Sequence, residues 1–154
     1  MKTAFLHEEV EEEIYMDQAE GFIVPGKEDY VCKLKKSLYG LKQSPRQWYK
    51  SFDSFMLLNG FKRSEYDSCI YIKIVDGSPI YLLLYVDDML IAAKSRKEIT
   101  TIKKLLSSEF DTKDLGVTNK ILGMEITRDR KSSLLFLSQH NYINKVLHHF
   151  NMHD

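Results

Sequence analysis

The chain has 154 residues, 44% of them hydrophobic and 29% charged. That length holds one ordinary domain and is too short for two full-sized ones; the balance excludes wholesale disorder, a collagen-like repeat and a coiled-coil rod. Lys plus Arg (22) equals Asp plus Glu (22), so a uniformly basic nucleic-acid binder is excluded while a local basic patch is not.

Cys32 and Cys69 lie far apart without a CxxC spacing, which suggests buried strand residues in a reducing compartment. The opening MKTAFLHEEVEEE is too short in apolar run and too acidic to be a signal peptide. Asp87 and Asp88 interrupt the longest apolar stretch, so no membrane span is expected. Charge is uneven along the chain. Residues 1–30 carry two lysines against nine acids, net −7, and residues 31–50 carry five lysines and one arginine with no acid, net +6. The change of sign suggests two faces with different partners, or two solvated surfaces that attract each other.

Val31 to Lys35 is the first expected strand. The first helix follows, with Ser44 as N-cap and Pro45 at the first helical position. Trp48, Phe52, Phe55 and Met56 form its apolar stripe and Gly60 its stop. Ile70 to Val75 and Ile80 to Val86 flank a turn at Asp76-Gly77-Ser78-Pro79, and Met89 to Ala93 follows Asp87-Asp88. Both runs beside these acids are apolar enough to be buried strands. A second helix opens with Ser95 and Glu98 at capping-box spacing and buries Ile99, Ile102, Leu105, Leu106 and Phe110. Strands at Ile121 to Thr127 and Leu134 to Leu137 flank the polar run Arg128 to Ser133. A third helix opens near Ser138 and carries Tyr142, Ile143, Val146, Leu147 and Phe150. Strands and helices without strict alternation give the α+β class.

Two adjacent carboxylates between apolar strands fit either of two roles. Asp is an ordinary turn residue. Hard cations such as Mg²⁺ also prefer carboxylate oxygens, and a rigid hairpin would hold Asp87 and Asp88 as ligands for phosphoryl transfer. The stretch from Val31 to Tyr49 interleaves basic and aromatic residues. Lys and Arg neutralise phosphates and exposed aromatics stack on bases; the plain alternative is a solvated basic strand and loop with Trp48 and Tyr49 in the core. The histidines His7, His140, His148, His149 and His153 show no metal-binding spacing, and no GxSxG, P-loop or GxGxxG occurs.

Together the motifs resemble the reverse transcriptase segment of copia-type retrotransposon Pol polyproteins. The matching blocks, in family order, are KTAFLH (Lys2 to His7), VCKLKKSLYGLKQSPRQWY (Val31 to Tyr49), LLLYVDDMLIA (Leu82 to Ala92), KDLG (Lys113 to Gly116), ILGMEI (Ile121 to Ile126) and LSQHNYINKVL (Leu137 to Leu147). The resemblance implies a polymerase palm, an antiparallel sheet backed by helices, within one partial domain over 1–154. Residues 1–112 would be partial fingers and palm, 113–137 a primer-grip-like hairpin, and 138–154 the start of the thumb. It implies that Asp87 and Asp88 are the catalytic, Mg²⁺-binding acids and that Tyr85 stands beside them. Phe5 would exclude a ribose 2′-hydroxyl by clash, with Ala4, Tyr39, Gly40 and Tyr85 also lining the nucleotide. Lys42, Ser44, Pro45 and Arg46 would lie on the template path, and Leu122, Gly123 and Met124 would hold the primer terminus. The implied partners are an RNA or DNA template with primer, deoxynucleoside triphosphates, and the ribonuclease H and integrase parts of a Pol polyprotein. No membrane is implied, and the family's cycle is cytoplasmic and also reaches the nucleus.

The family pattern has Leu-Asp-Val before KTAFLH, with Met1 here at the Val position and Glu8 where the family usually has Gly. The Asp of that pattern is a third metal ligand, so the expectation is a chain that is catalytically incomplete alone. A second reading is a non-catalytic nucleic-acid-binding remnant, resting on the +6 segment. A third is a chain that does not fold stably alone.

Overall fold

The fold is given by a computed structural model that describes residues 5–6 and 10–152. Ala4 and Glu8 lie outside the described residues. The chain divides into two compact units, Met1–Lys113 and Asp114–Asp154. Each combines helix with antiparallel sheet, which agrees with the α+β class.

In the first unit, β1 (Tyr15–Asp17) pairs with β2 (Val31–Lys33) as a two-stranded ribbon. β2 is shorter than the expected strand, and Cys32 is exposed instead of buried. The reason is that the ribbon is solvated on both faces. The Gln18 carboxamide orders the loop between the strands. Its nitrogen donates to Lys27 O (2.6 Å) and Tyr30 O (3.0 Å), and its oxygen accepts from Val24 N (2.9 Å).

Helix α1 spans Ser44–Leu58. Ser44 is not its N-cap. Gln43 holds that position without a side-chain bond, and Ser44 is buried in the first turn. The Ser44 hydroxyl is already used by the preceding loop, donating to Leu38 O at 2.8 Å and pairing with the Ser37 hydroxyl. The helix ends at Asn59. Gly60 adopts φ +78, its N–H donates to Leu57 O, and Phe61 N–H donates to Met56 O. This is the Schellman arrangement, which places a glycine in the left-handed region.

A four-stranded sheet follows, ordered β3 (Lys62–Arg63), β4 (Ile70–Val75), β5 (Ser78–Tyr85), β6 (Asp88–Ala93). Asp76 and Gly77 join β4 to β5 with φ +48 and +72, the type I′ pattern that suits a two-residue hairpin. Pro79 is tolerated in the central strand because β6 ends opposite Ile80, so no acceptor waits for the missing donor.

Only one face of this sheet is buried. Ile80, Leu82 and Leu84 of β5 and Tyr71 of β4 pack with Trp48, Phe52 and Met56 of α1 and with Ile102 and Leu106 of α2 (Arg96–Glu109). Ile74, Tyr81 and Tyr85 on the opposite face are exposed. The apolar runs beside Asp87-Asp88 are therefore half-buried strands, not fully buried ones, because the helices form a single layer. Phe110 packs against Trp48, Phe52 and Phe55 at centroid distances of 5.0, 5.6 and 5.1 Å, which joins the end of α2 to α1. The capping box at Ser95 and Glu98 is formed as expected.

In the second unit, β7 (Lys120–Ile121), β8 (Met124–Asp129) and β9 (Leu134–Ser138) form a three-stranded sheet. The single strand expected over Ile121 to Thr127 is broken, since Leu122 and Gly123 have φ +49 and +79 and turn the chain back. Helix α3 covers His140–His149 and starts after Ser138, whose hydroxyl accepts from His140 N at 3.2 Å. Its expected apolar face is present, yet α3 has no buried residue, and Tyr142, Ile143 and Phe150 are exposed.

Tyr71 ties the two layers of the first unit together. Its hydroxyl donates to Asp53 Oδ1 of α1 at 3.0 Å, and Arg63 Nε lies 3.1 Å from the same oxygen. Burial, followed by Tyr49 and the Asp53 carboxylate, raises the Tyr71 phenol well above its usual value. The unfolded chain loses this proton near pH ~10 while the folded chain keeps it, so stability is complete below that pH and falls as pH rises further. Tyr71→Phe is expected to cost about 1–2 kcal/mol at neutral pH and to flatten the alkaline loss. Urea unfolding of both proteins across the alkaline range checks this.

Candidate functional site

Tyr85 closes β5 opposite Asp88, the first residue of β6, so the turn itself is Val86-Asp87. The two acids expected to share the turn thus stand in different settings. Asp87 lies in the turn and is half-buried; Asp88 is in the strand and exposed. Met89, Ile91 and Ala93 pack toward the helices. By alternation Asp88, with its cross-strand partner Tyr85, belongs to the opposite, open face.

The turn is strained. Val86 has φ +57 while Asp87 is not in the positive region, the pattern of a type II′ turn, whose first position favours glycine. A β-branched residue there costs on the order of 1–3 kcal/mol and persists only where its surroundings hold it. The holder is Trp48, which is only 2% exposed and whose Nε1–H donates to Val86 O at 2.8 Å. The sequence reading placed Trp48 either on nucleic acid or in the core. It missed the tether, although a buried indole N–H requires an acceptor.

The other expected site residues fall into separate groups. Phe5 is buried, and its ring packs at a steep angle against that of Tyr39 with centroids 4.9 Å apart. Tyr39 is exposed on the loop that Ser37 and Ser44 close, and Gly40 in that loop has φ +97. Lys42, Pro45 and Arg46 are exposed where this loop enters α1. Leu122 and Gly123 form the β7–β8 turn of the second unit, and Met124 opens β8.

The acidic and basic segments neutralise each other in part. Lys33 pairs with Glu13, and Lys50 Nζ lies 2.8 Å from Glu11. The Lys50 ammonium and then Gln47 hold the Glu11 carboxyl below its usual range; Lys33 and then Tyr15 do the same for Glu13. A depression of about 520 Å³ lies at β3 and β4 beside Lys62, Tyr66 and Ile72, and no expected site residue lines it.

Carboxylate oxygens of Asp87 and Asp88 suit a hard divalent cation. Among the described residues no three His, Cys, Asp or Glu side chains are grouped to hold a metal. No helix among them is long and apolar enough to cross a membrane.

This acid-bearing hairpin, on a sheet backed by two helices, lies in a chain whose residues 1–154 match the family model described as reverse transcriptase (RNA-dependent DNA polymerase). The chain belongs to that family. It is 56% identical over 153 residues to the retrovirus-related Pol polyprotein from transposon TNT 1-94 of Nicotiana tabacum, covering 99% of this chain and 12% of the relative. It is 38% identical over 152 residues to the corresponding polyprotein from transposon RE1 of Arabidopsis thaliana, covering 99% and 10%. It is 37% identical over 144 residues to the putative transposon Ty5-1 protein YCL074W of Saccharomyces cerevisiae, covering 94% and 46%. The chain therefore spans only a small part of the polyproteins it resembles and about half of the yeast protein. No solved structure matches it.

Two substitutions at the turn should act in opposite directions. Trp48→Phe keeps most of the ring packing and leaves Val86 O without its donor, so a loss of about 1–2 kcal/mol is expected. Val86→Gly relieves the positive φ by more than glycine costs in chain entropy, so a gain of ~1 kcal/mol is expected. Equilibrium urea unfolding measures both.

Proposed function

We propose that this chain is the palm-centred part of a retrotransposon reverse transcriptase, whose reaction is templated addition of deoxynucleotides to a primer 3′-hydroxyl. In this reading residues 1–112 are partial fingers and palm, 113–137 the primer-grip hairpin and 138–154 the start of the thumb. The observation that carries it is the tethered β5–β6 turn, which fixes Asp87 and Asp88 at the end of a sheet whose free face is open to a large ligand.

Asp87 and Asp88 would be the protein ligands of Mg²⁺, which when bound supplies charge stabilisation at the attacking and leaving oxygens. Tyr85, on the open face beside Asp88, would contact the nucleotide. Phe5, backed by Tyr39, would bound the sugar side of the nucleotide, with Ala4 and Gly40 beside it. Lys42 and Arg46 would meet template phosphates near Ser44 and Pro45. Leu122, Gly123 and Met124 would hold the primer. Two carboxylates make a working centre only with further oxygen donors, and among the described residues no third His, Cys, Asp or Glu side chain is grouped with them. In this reading the 154-residue chain alone has no polymerase activity.

Primer extension tests both halves of this reading. The purified chain with Mg²⁺ and a primed template should give no extension. The chain exchanged for its counterpart in the tobacco polyprotein should support extension, and Asp87→Asn in that chimaera should lower the rate about a thousandfold or more. Extension by the isolated chain that Asp87→Asn abolishes would refute the inactivity. A chimaera insensitive to Asp87→Asn would refute the site.

The exposed Lys35, Lys42 and Arg46 favour a second reading, binding of template–primer without catalysis. It requires affinity that falls steeply with salt, weakens with Lys35→Glu and Lys42→Glu, and ignores Asp87→Asn. A filter-binding salt series decides it, and no binding at low salt removes it.

A further inference from the structure

Ser37 and Ser44 are buried, at 1% and 0% exposure. They stand at the two ends of the loop that precedes α1, and their hydroxyls are hydrogen-bonded to each other. The direction of that bond follows from the protons. A serine hydroxyl has one proton to give. The Ser44 hydroxyl gives its proton to Leu38 O at 2.8 Å, so toward Ser37 it accepts and Ser37 donates. The bonds thus run from Ser37 to Ser44 to Leu38 O. That end point matters because Leu38 O belongs to the planar peptide that joins Leu38 to Tyr39. Holding the oxygen fixes the peptide plane just before Tyr39. Just after it, Gly40 turns the chain at φ +97. Leu41 N–H and Ser44 N–H close the loop on Leu38 O and Leu41 O, at 3.4 and 3.2 Å. The half-exposed Tyr39 ring is thereby seated against the buried Phe5 ring.

We propose that Ser37 and Ser44 are positioning residues for the sugar of the incoming nucleotide. Their hydroxyl chain sets the Tyr39 ring against Phe5 and so sharpens the choice of deoxyribose over ribose. This rests on the reading of the chain as a reverse transcriptase segment with Phe5 at the sugar. Ser44 is fully buried, so it does not meet the template, and its effect passes through the loop. The two serines are not equivalent. Ser44→Ala takes the hydroxyl donor from Leu38 O and the acceptor from Ser37, whereas Ser37→Ala leaves Ser44 bonded to Leu38 O. A buried polar group stripped of its partner costs more than a pair removed together. Ser44→Ala is therefore the more damaging single change, and Ser37→Ala on top of it adds little.

Trypsin digestion of the full chain under native conditions, read by mass spectrometry, tests the hydroxyl chain at Lys42, which is exposed within the loop. Ser44→Ala should speed the cut at Lys42 about tenfold by raising the open population. Ser37→Ala should speed it less, and the double variant no more than Ser44→Ala. The cut at the exposed Lys145 of the second unit is the control and should not change. Should Ser44→Ala not fold, Ser37→Ala carries the test. A rate at Lys42 unmoved by these changes would overturn the proposal. In the tobacco chimaera, Ser44→Ala should lower the preference for deoxy- over ribonucleoside triphosphates about tenfold, through the KM for the ribonucleotide. With Tyr39→Ala already present it should lower the preference no further, because no ring remains to be placed. A preference unmoved by Ser44→Ala, a fall in kcat for both sugars alike, or the same loss in the Tyr39→Ala background would overturn the positioning role. A chimaera insensitive to Asp87→Asn refutes the catalytic reading instead, and the rate at Lys42 still decides for or against the hydroxyl chain.

Discussion

The hydrogen bond from the Trp48 indole to Val86 O is the contact on which the candidate site depends. Val86 sits where a two-residue turn of this kind favours glycine, so the turn carries strain that its own residues do not offset. The indole can hold the carbonyl because Trp48 is itself packed in the core. Phe52 and Phe110 pack against its ring at 5.5 and 5.0 Å, and Phe110 brings α2 into the same cluster. The position of Asp87 and Asp88 is thus set by the packing of two helices, not by local sequence around the acids. An aromatic cluster of this kind suits a site that must hold carboxylates at fixed positions.

The second constraint is that the sheet has one covered face. Tyr81 and Tyr85 stand on the open side with Ile74, and Leu83 and Leu90 are half-buried beside them. In the other unit, Leu134, Leu135, Phe136 and Leu137 of β9 are exposed, as are Tyr142 and Ile143 of α3. Apolar surface of this extent marks contact surfaces in soluble proteins.

Much of this arrangement was legible in the sequence, and the exceptions have physical causes. The Schellman stop at Gly60, the Asp76-Gly77 hairpin and the Ser95–Glu98 capping box are local, so short stretches specify them. Three features were not legible. Ser44 reads as a cap, but its hydroxyl is taken by Leu38 and Ser37, a choice made by loop closure. The run Ile80 to Val86 reads as doubly buried because open-face residues here are apolar too, so periodicity carries no face information. The Trp48 tether spans 38 positions, and no local pattern announces it. For the proposed site residues, order along the chain and resemblance supplied what the composition left open.

The charge pattern shows how an apparent signal changes when the fold is known. The +6 segment suggested an electrostatic surface for nucleic acid, yet Lys33 and Lys50 are engaged by Glu13 and Glu11 from the acidic segment. These pairs are exposed and contribute little stability. Their effect is to remove two cations from the field of the basic segment. The cations that remain exposed nearby include Lys42 and Arg46, where the Ser44-closed loop enters α1, and α1 is also the helix that carries Trp48. The helix that tethers the acid-bearing turn therefore begins beside the residual positive charge.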